Sequence, residues 1–135
     1  MNPLGIVLDI HSVVRWLVVA VSLISLVWFG LVWLRGTRNE KADRGLMAAF
    51  SGLIDLQGTI GLILILWSGF AGVGFPRYRI EHAFIMIIAA VVAHLSMRWR
   101  NARMQIRARN NVALIVGVLV IVFVGVSLLP QGWIG

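Results

Sequence analysis

Four apolar runs divide the chain: Ser12–Leu34, Leu46–Gly69, Ile80–Met97 and Val112–Leu129. A helix needs about 20 apolar residues to cross the hydrocarbon of a bilayer, within a range of about 17–25. All four runs meet that length. They are continuous rather than alternating, and four strands cannot close a barrel, so spanning strands are excluded. Charge and strong polarity are sparse in them: Arg15 in the first, Asp55 and Gln57 in the second, Glu81, His82 and His94 in the third, and no charge in the fourth. The expected fold is all-α, an integral membrane up-down four-helix bundle. A single transmembrane domain over 1–135 would have helices at about 12–34, 46–69, 80–97 and 112–129.

Composition agrees. Sixty per cent of the residues (60%) are hydrophobic and the mean hydropathy is +0.94, against an apolar share of about 45–50% in ordinary globular proteins. The absence of cysteine excludes disulfides, thiolate metal sites, iron–sulfur clusters and covalent haem attachment.

The connections carry the orientation. Arg35–Gly45 holds Arg35, Arg38, Lys41 and Arg44; Arg98–Asn111 holds Arg98, Arg100, Arg103, Arg107 and Arg109; Gly69–Arg79 holds only Arg77 and Arg79. Cytoplasmic loops are the basic ones. Both N and C termini are therefore expected outside, in a multi-pass protein of a bacterial inner membrane. The net charge of +7 would also suit nucleic acid, but nine of the twelve Lys/Arg sit in those two loops. Membrane lipid, not nucleic acid, is the expected partner. Residues 1–11 contain no Lys or Arg and so lack the basic start of a secretory signal peptide. Trp16, Trp33, Trp67, Trp99 and Trp133 fall near the span ends, as an interfacial aromatic belt would.

Helical angle sorts the polar positions into faces. His11, Arg15, Ser22 and Ser25 share one sector of the first helix; Ser51, Asp55, Gly58 and Thr59 share one of the second; Ala83, Met86, Ala90, Ala93 and Met97 make a stripe on the third, flanked by His82 and His94. These sectors are expected to face one another, since small residues allow close approach and polar groups avoid lipid. The fourth helix, marked only by Gly117, Gly125 and Ser127, is expected to be the most lipid-exposed or partner-exposed.

Ionisable residues inside a membrane are costly and call for a reason. His11, Arg15, Glu81 and His82 all lie near one end of the first and third helices. One reading is a bis-imidazole site for haem b. His11 and His82 would be the axial ligands, with Arg15, or Arg77 and Arg79, beside the propionates. The competing reading is an Arg15–Glu81 ion pair with the histidines hydrogen-bonded at headgroup level; a quinone or metal site is a third. His94 follows Ala90 in an Ala-x-x-x-His pattern like the one on which light-harvesting polypeptides hold bacteriochlorophyll; the plainer reading is a histidine bonded to a neighbouring helix. Asp55 suits a proton relay, a pair with Arg15, or a protonated carboxyl bonded to Ser51 or Thr59. No nucleophile–base pair, P-loop or HExxH motif occurs, and Gly72-Val73-Gly74 does not extend to a dinucleotide fingerprint.

His11-Ser-Val-Val-Arg15-Trp16, then Glu81-His82 with Met86, then the Met/Ala-rich helix to His94, resemble a family of small bacterial four-helix membrane proteins. Those proteins carry HSxxRW and EHxxxM motifs and are sometimes labelled cytochrome b-like. Relatives of that kind place a histidine near the position of Asp55–Gln57, where this chain has Asp55. The resemblance leaves His11, His82 and His94 as haem candidates. Three functions are in view: a non-catalytic accessory subunit of a larger respiratory or photosynthetic electron-transport complex, a small b-type cytochrome, and a pigment-binding or transport protein. Transport is disfavoured by the single mid-membrane carboxylate and the lack of a broken-helix pair.

Overall fold

The computed structural model describes residues 2–36 and 39–133. Arg38, counted above among the loop charges, lies outside them. Four helices are present: α1 Pro3–Arg35, α2 Glu40–Ser68, α3 Arg77–Ala93 and α4 Met104–Ser127. A π-helical turn, Gly69–Val73, extends α2, and a 3-10 segment, His94–Trp99, extends α3. All four are long and apolar enough to cross a membrane. The protein is a multi-pass, all-helical bundle.

α1, α2 and α4 are longer than their apolar runs, and at both ends of α1 and the start of α2 caps rather than hydropathy set the limit. The Asn2 side chain accepts from the Leu4 amide at 3.1 Å, and Pro3 starts α1 with φ already suited to a helix. Gly36, in the left-handed region at φ 67°, ends it by donating to the Val32 carbonyl at 2.8 Å. The Asn39 side chain caps α2 through the Ala42 amide at 3.0 Å, with Glu40 and Asp43 in the first turn. The expected basic loops therefore shrink. Lys41 and Arg44 belong to α2, Arg107 and Arg109 to α4, and Arg98 to the 3-10 segment.

α1 packs on α2 and α4, and α3 packs on the same two, so α1 and α3 are diagonal. Short connections make sequential neighbours antiparallel. The α1–α2 and α3–α4 connections share one end of the bundle, called the loop end below. Residue 2, the α2–α3 turn and Trp133 share the other, the terminal end. That turn is tight: the Phe75 ring lies where a Gly69 side chain would be, and Gly72 stands at φ 120°.

The core runs between Phe29, Val32, Phe50, Ile115 and Val118, all essentially inaccessible. Two facial expectations need correction. α4 is the most buried helix, not the most exposed, with Leu114, Ile115, Val118, Val122 and Val126 inside. A helix without polar markers discloses no face, and close approach to α3 is permitted by Gly125, where a Cβ would meet Met86 and Ile85. On α2 the buried positions are Asp43, Phe50, Ile54 and Ser68, whereas Asp55 and Thr59 face outward. The α1 sector holds for Ser22 and Ser25, both fully buried. The α3 stripe holds at Met86, Ala90 and Ala93 but not at Met97, which is exposed; Ala89, outside that stripe, is buried as well.

Candidate functional site

At the terminal end, α1 and α3 bring His11, Arg15 and His82 within electrostatic range of one another. Each histidine is held by the helix beside it. The Gln57 amide of α2 donates to the His11 carbonyl at 2.9 Å and lies 3.5 Å from His11 Nε2. Gly61, one turn on, leaves room for the ring: a Cβ there would lie 3.2 Å from His11 Cε1. His82 Nδ1 is 2.8 Å from the Gly125 carbonyl of α4. A carbonyl only accepts, so Nδ1 carries the proton and Nε2 keeps its lone pair. Metal-ligating histidines are oriented in this way, by a second hydrogen bond that fixes tautomer and ring angle.

The same end collects buried polar atoms without partners: His11 Nδ1, Arg15 Nε, Gln57 Oε1 and Trp133 Nε1. In hydrocarbon an unsatisfied polar group costs several kcal/mol. The Arg15 guanidinium lies 5.4 Å from the Trp16 ring and 5.7 Å from the Trp133 ring. Trp133 is itself 6.0 Å from Trp16 and 6.1 Å from Phe123. The C-terminal turn thus folds back over the α1–α4 seam and shelters Arg15 with aromatic faces.

Two expected members behave differently. Glu81 pairs with Arg77 at 2.7 Å, one turn away on the same helix, and makes no ion pair with Arg15. Arg79 bonds to the Ser68 hydroxyl, which in turn donates to the Leu64 carbonyl. With both α3 arginines engaged, Arg15 is the cation left at the histidines. Gln57, two residues from Asp55, points the opposite way on α2 and joins the histidines, while Asp55 does not.

Asp55 instead meets His94. His94 Nε2 is 2.9 Å from each carboxylate oxygen, and both side chains are about half exposed, 50% and 45%. The expected bonds of Asp55 to Arg15, Ser51 or Thr59 are not made; the hydroxyls of Ser51 and Thr59 donate to carbonyls of their own helix. With Nε2 engaged, His94 has only Nδ1 free toward a magnesium or iron. Among the described residues no group of three or more His, Asp or Glu converges on a common metal position.

The loop end carries a network not foreseen from the sequence. Asp43, 3% exposed, accepts from Trp28 Nε1 at 2.7 Å and from Arg107 at 3.1 Å, and Arg107 also donates to the Ala102 carbonyl. Buried Asn111 accepts from Trp99 Nε1 at 2.8 Å. The available signal was an acidic residue inside a basic connection, four residues after a capping Asn39. Two grooves also lie toward this end. One of about 310 Å³ is lined by Trp33, Arg103, Gln105, Ile106 and Arg109, and one of about 290 Å³ by α3 and α4 residues from Val92 to Leu114.

The histidine cluster can do three things chemically. It offers two imidazoles from diagonal helices, one with its lone pair presented by a backbone bond. It offers one guanidinium unmatched by a carboxylate. It keeps these behind apolar walls from Val14, Val18, Val122 and Val126. A search for matching protein families, curated proteins and solved structures found none.

Proposed function

We propose that this protein is a small b-type electron carrier of a bacterial inner membrane, with haem b held between His11 and His82. The observation that carries the reading is that two histidines from diagonal helices come near each other at one end of the bundle, His82 being fixed through Nδ1 to the Gly125 carbonyl. The donor set suits the group. Two nitrogen ligands come from opposite helices, and Arg15 stands ready for a propionate. The unpartnered atoms at His11, Arg15 and Gln57 are those a bound group would satisfy. Haem, when bound, supplies one-electron exchange at its iron.

The chain's own part is positional. Gly125 holds the His82 ring in one tautomer; Gln57 and Gly61 hold the His11 segment against α2; Trp133 and Trp16 cover Arg15 from the aqueous side. No nucleophile–base pair accompanies these groups, so we read the protein as a non-catalytic component of a larger energy-conversion assembly. Arg98, Arg100, Arg103, Arg107, Arg109, Arg35, Lys41 and Arg44 all belong to the loop end. By the positive-inside rule that end is cytoplasmic and both termini are periplasmic.

The test is an optical spectrum of protein purified in mild detergent. A reduced-minus-oxidised haem difference spectrum is expected, and it should vanish in both His11→Leu and His82→Leu while helix content is kept. Purified protein that takes up no haem during expression or on addition of hemin would sink the reading.

A further inference from the structure

A carboxylate–histidine pair facing out of the bundle is out of place in lipid. Asp55 is near the middle of α2, and its carboxylate and the His94 imidazole are about half exposed. Intramembrane ionisable side chains otherwise turn to a bundle interior or a watery cavity. The helices that carry this pair are also the least covered. Only 11% of the apolar window of each of α2 and α3 is buried, against 28% for α1 and 39% for α4. Around Asp55 the outward face of α2 carries the small residues Gly45, Ala48, Gly52 and Thr59, with Leu56 and Leu62 beside them. A Cβ at Gly45 or Gly52 would touch nothing within 4 Å. Ala48 and Gly52 are four apart, the spacing that lets a second helix come close.

We propose that this face seats a second copy of the chain in a two-fold contact that sets the two Asp55–His94 pairs against each other. The argument for a second copy is charge complementarity. The pair presents carboxylate acceptors and, at His94 Nδ1, a ring nitrogen in one spot. In the imidazolium form both ring nitrogens donate, so a two-fold axis beside the pair lets the Nδ1–H of one copy bond the carboxylate of the other. A protein of different sequence would have to bring its own donor and acceptor to the same depth. The proposal does not depend on haem.

The chain lacks cysteine, so single introduced thiols report without background. In native membranes under mild oxidation, Gly52→Cys should give a species of twice the chain mass of 14.9 kDa. Val120→Cys, on the exposed face of α4, should not. In sparse lipid bilayers, single-molecule photobleaching should count two copies for the unsubstituted chain and one for Gly52→Leu, with unchanged helicity. A single copy for the unsubstituted chain, cross-linking of Gly52→Cys to a protein of another sequence, or equal cross-linking through Val120→Cys would each overturn the proposal.

Discussion

Arg107 and Asp43 join α4 to the diagonally opposite α2 through an ion pair of 3.1 Å, and Trp28 of α1 closes the other carboxylate oxygen at 2.7 Å. One buried carboxylate thus holds three helices. Its two partners satisfy the charge that burial would otherwise penalise, so removing one strands the other. Asp43→Ala is expected to lower stability by about 3 kcal/mol, and Trp28→Phe by about 1 kcal/mol, the worth of one hydrogen bond. Reversible unfolding in mixed micelles measures both. Equal midpoints for Asp43→Ala and the parent would show that the network contributes nothing.

The orientation can be checked with single cysteines. Arg103→Cys should react with a membrane-impermeant thiol reagent only after the cytoplasmic face is opened, and Asn2→Cys should react from the periplasmic side of intact cells. The reverse pattern would invert the bundle.

The two histidine sites should separate spectroscopically. His94 is bonded to Asp55 on the outer face, remote in contacts from the His11–His82 pair. His94→Leu is therefore expected to keep the haem difference spectrum that His82→Leu removes. Loss of the band in His94→Leu would move the ligand assignment to α3's other end.

Glycine positions on α4 should differ sharply. At Gly125 a Cβ would run into Met86 and Ile85, and overpacking of that kind costs about 1–3 kcal/mol. At Gly117 nothing lies within 4 Å. Gly117→Ala should be neutral or stabilising by about 0.5–1 kcal/mol, through the helix preference for alanine. Gly125→Ala should also weaken haem retention, because it shifts the carbonyl that holds His82. Identical unfolding midpoints for the two variants would contradict the packing described here.

The spans were readable because twenty-odd apolar residues admit few alternatives, and the His11–Arg15–His82 grouping followed from chain direction alone. Other features were not readable, for definite reasons. The helix starts at Glu40 and Met104 fall in polar sequence and the one at Pro3 lies beyond Asp9 and His11; they are set by capping or by packing, which hydropathy does not weigh. The burial of α4 was hidden because an evenly apolar helix has no polar face to read. Asp55 and Gln57 look like one polar site in sequence. Two residues of helix turn them about 200° apart, one toward His94 and one toward His11. Glu81 went to Arg77 since an i,i+4 partner on the same helix needs no tertiary alignment.

Side-chain bonds group the four helices differently at the two ends. At the terminal end Gln57 links α1 to α2 and His82 links α3 to α4; apart from the Arg79–Ser68 contact beside the turn, no hydrogen bond among the described residues ties one pair to the other there. At the loop end Arg107 and Asp43 cross between the pairs. The bundle is therefore clasped by polar bonds at its base, and at its tips by the α2–α3 turn and by the aromatic seam of Trp16, Trp133 and Phe123. Each pair of helices carries one histidine, so what fixes the span between His11 and His82 is packing rather than polar bonds.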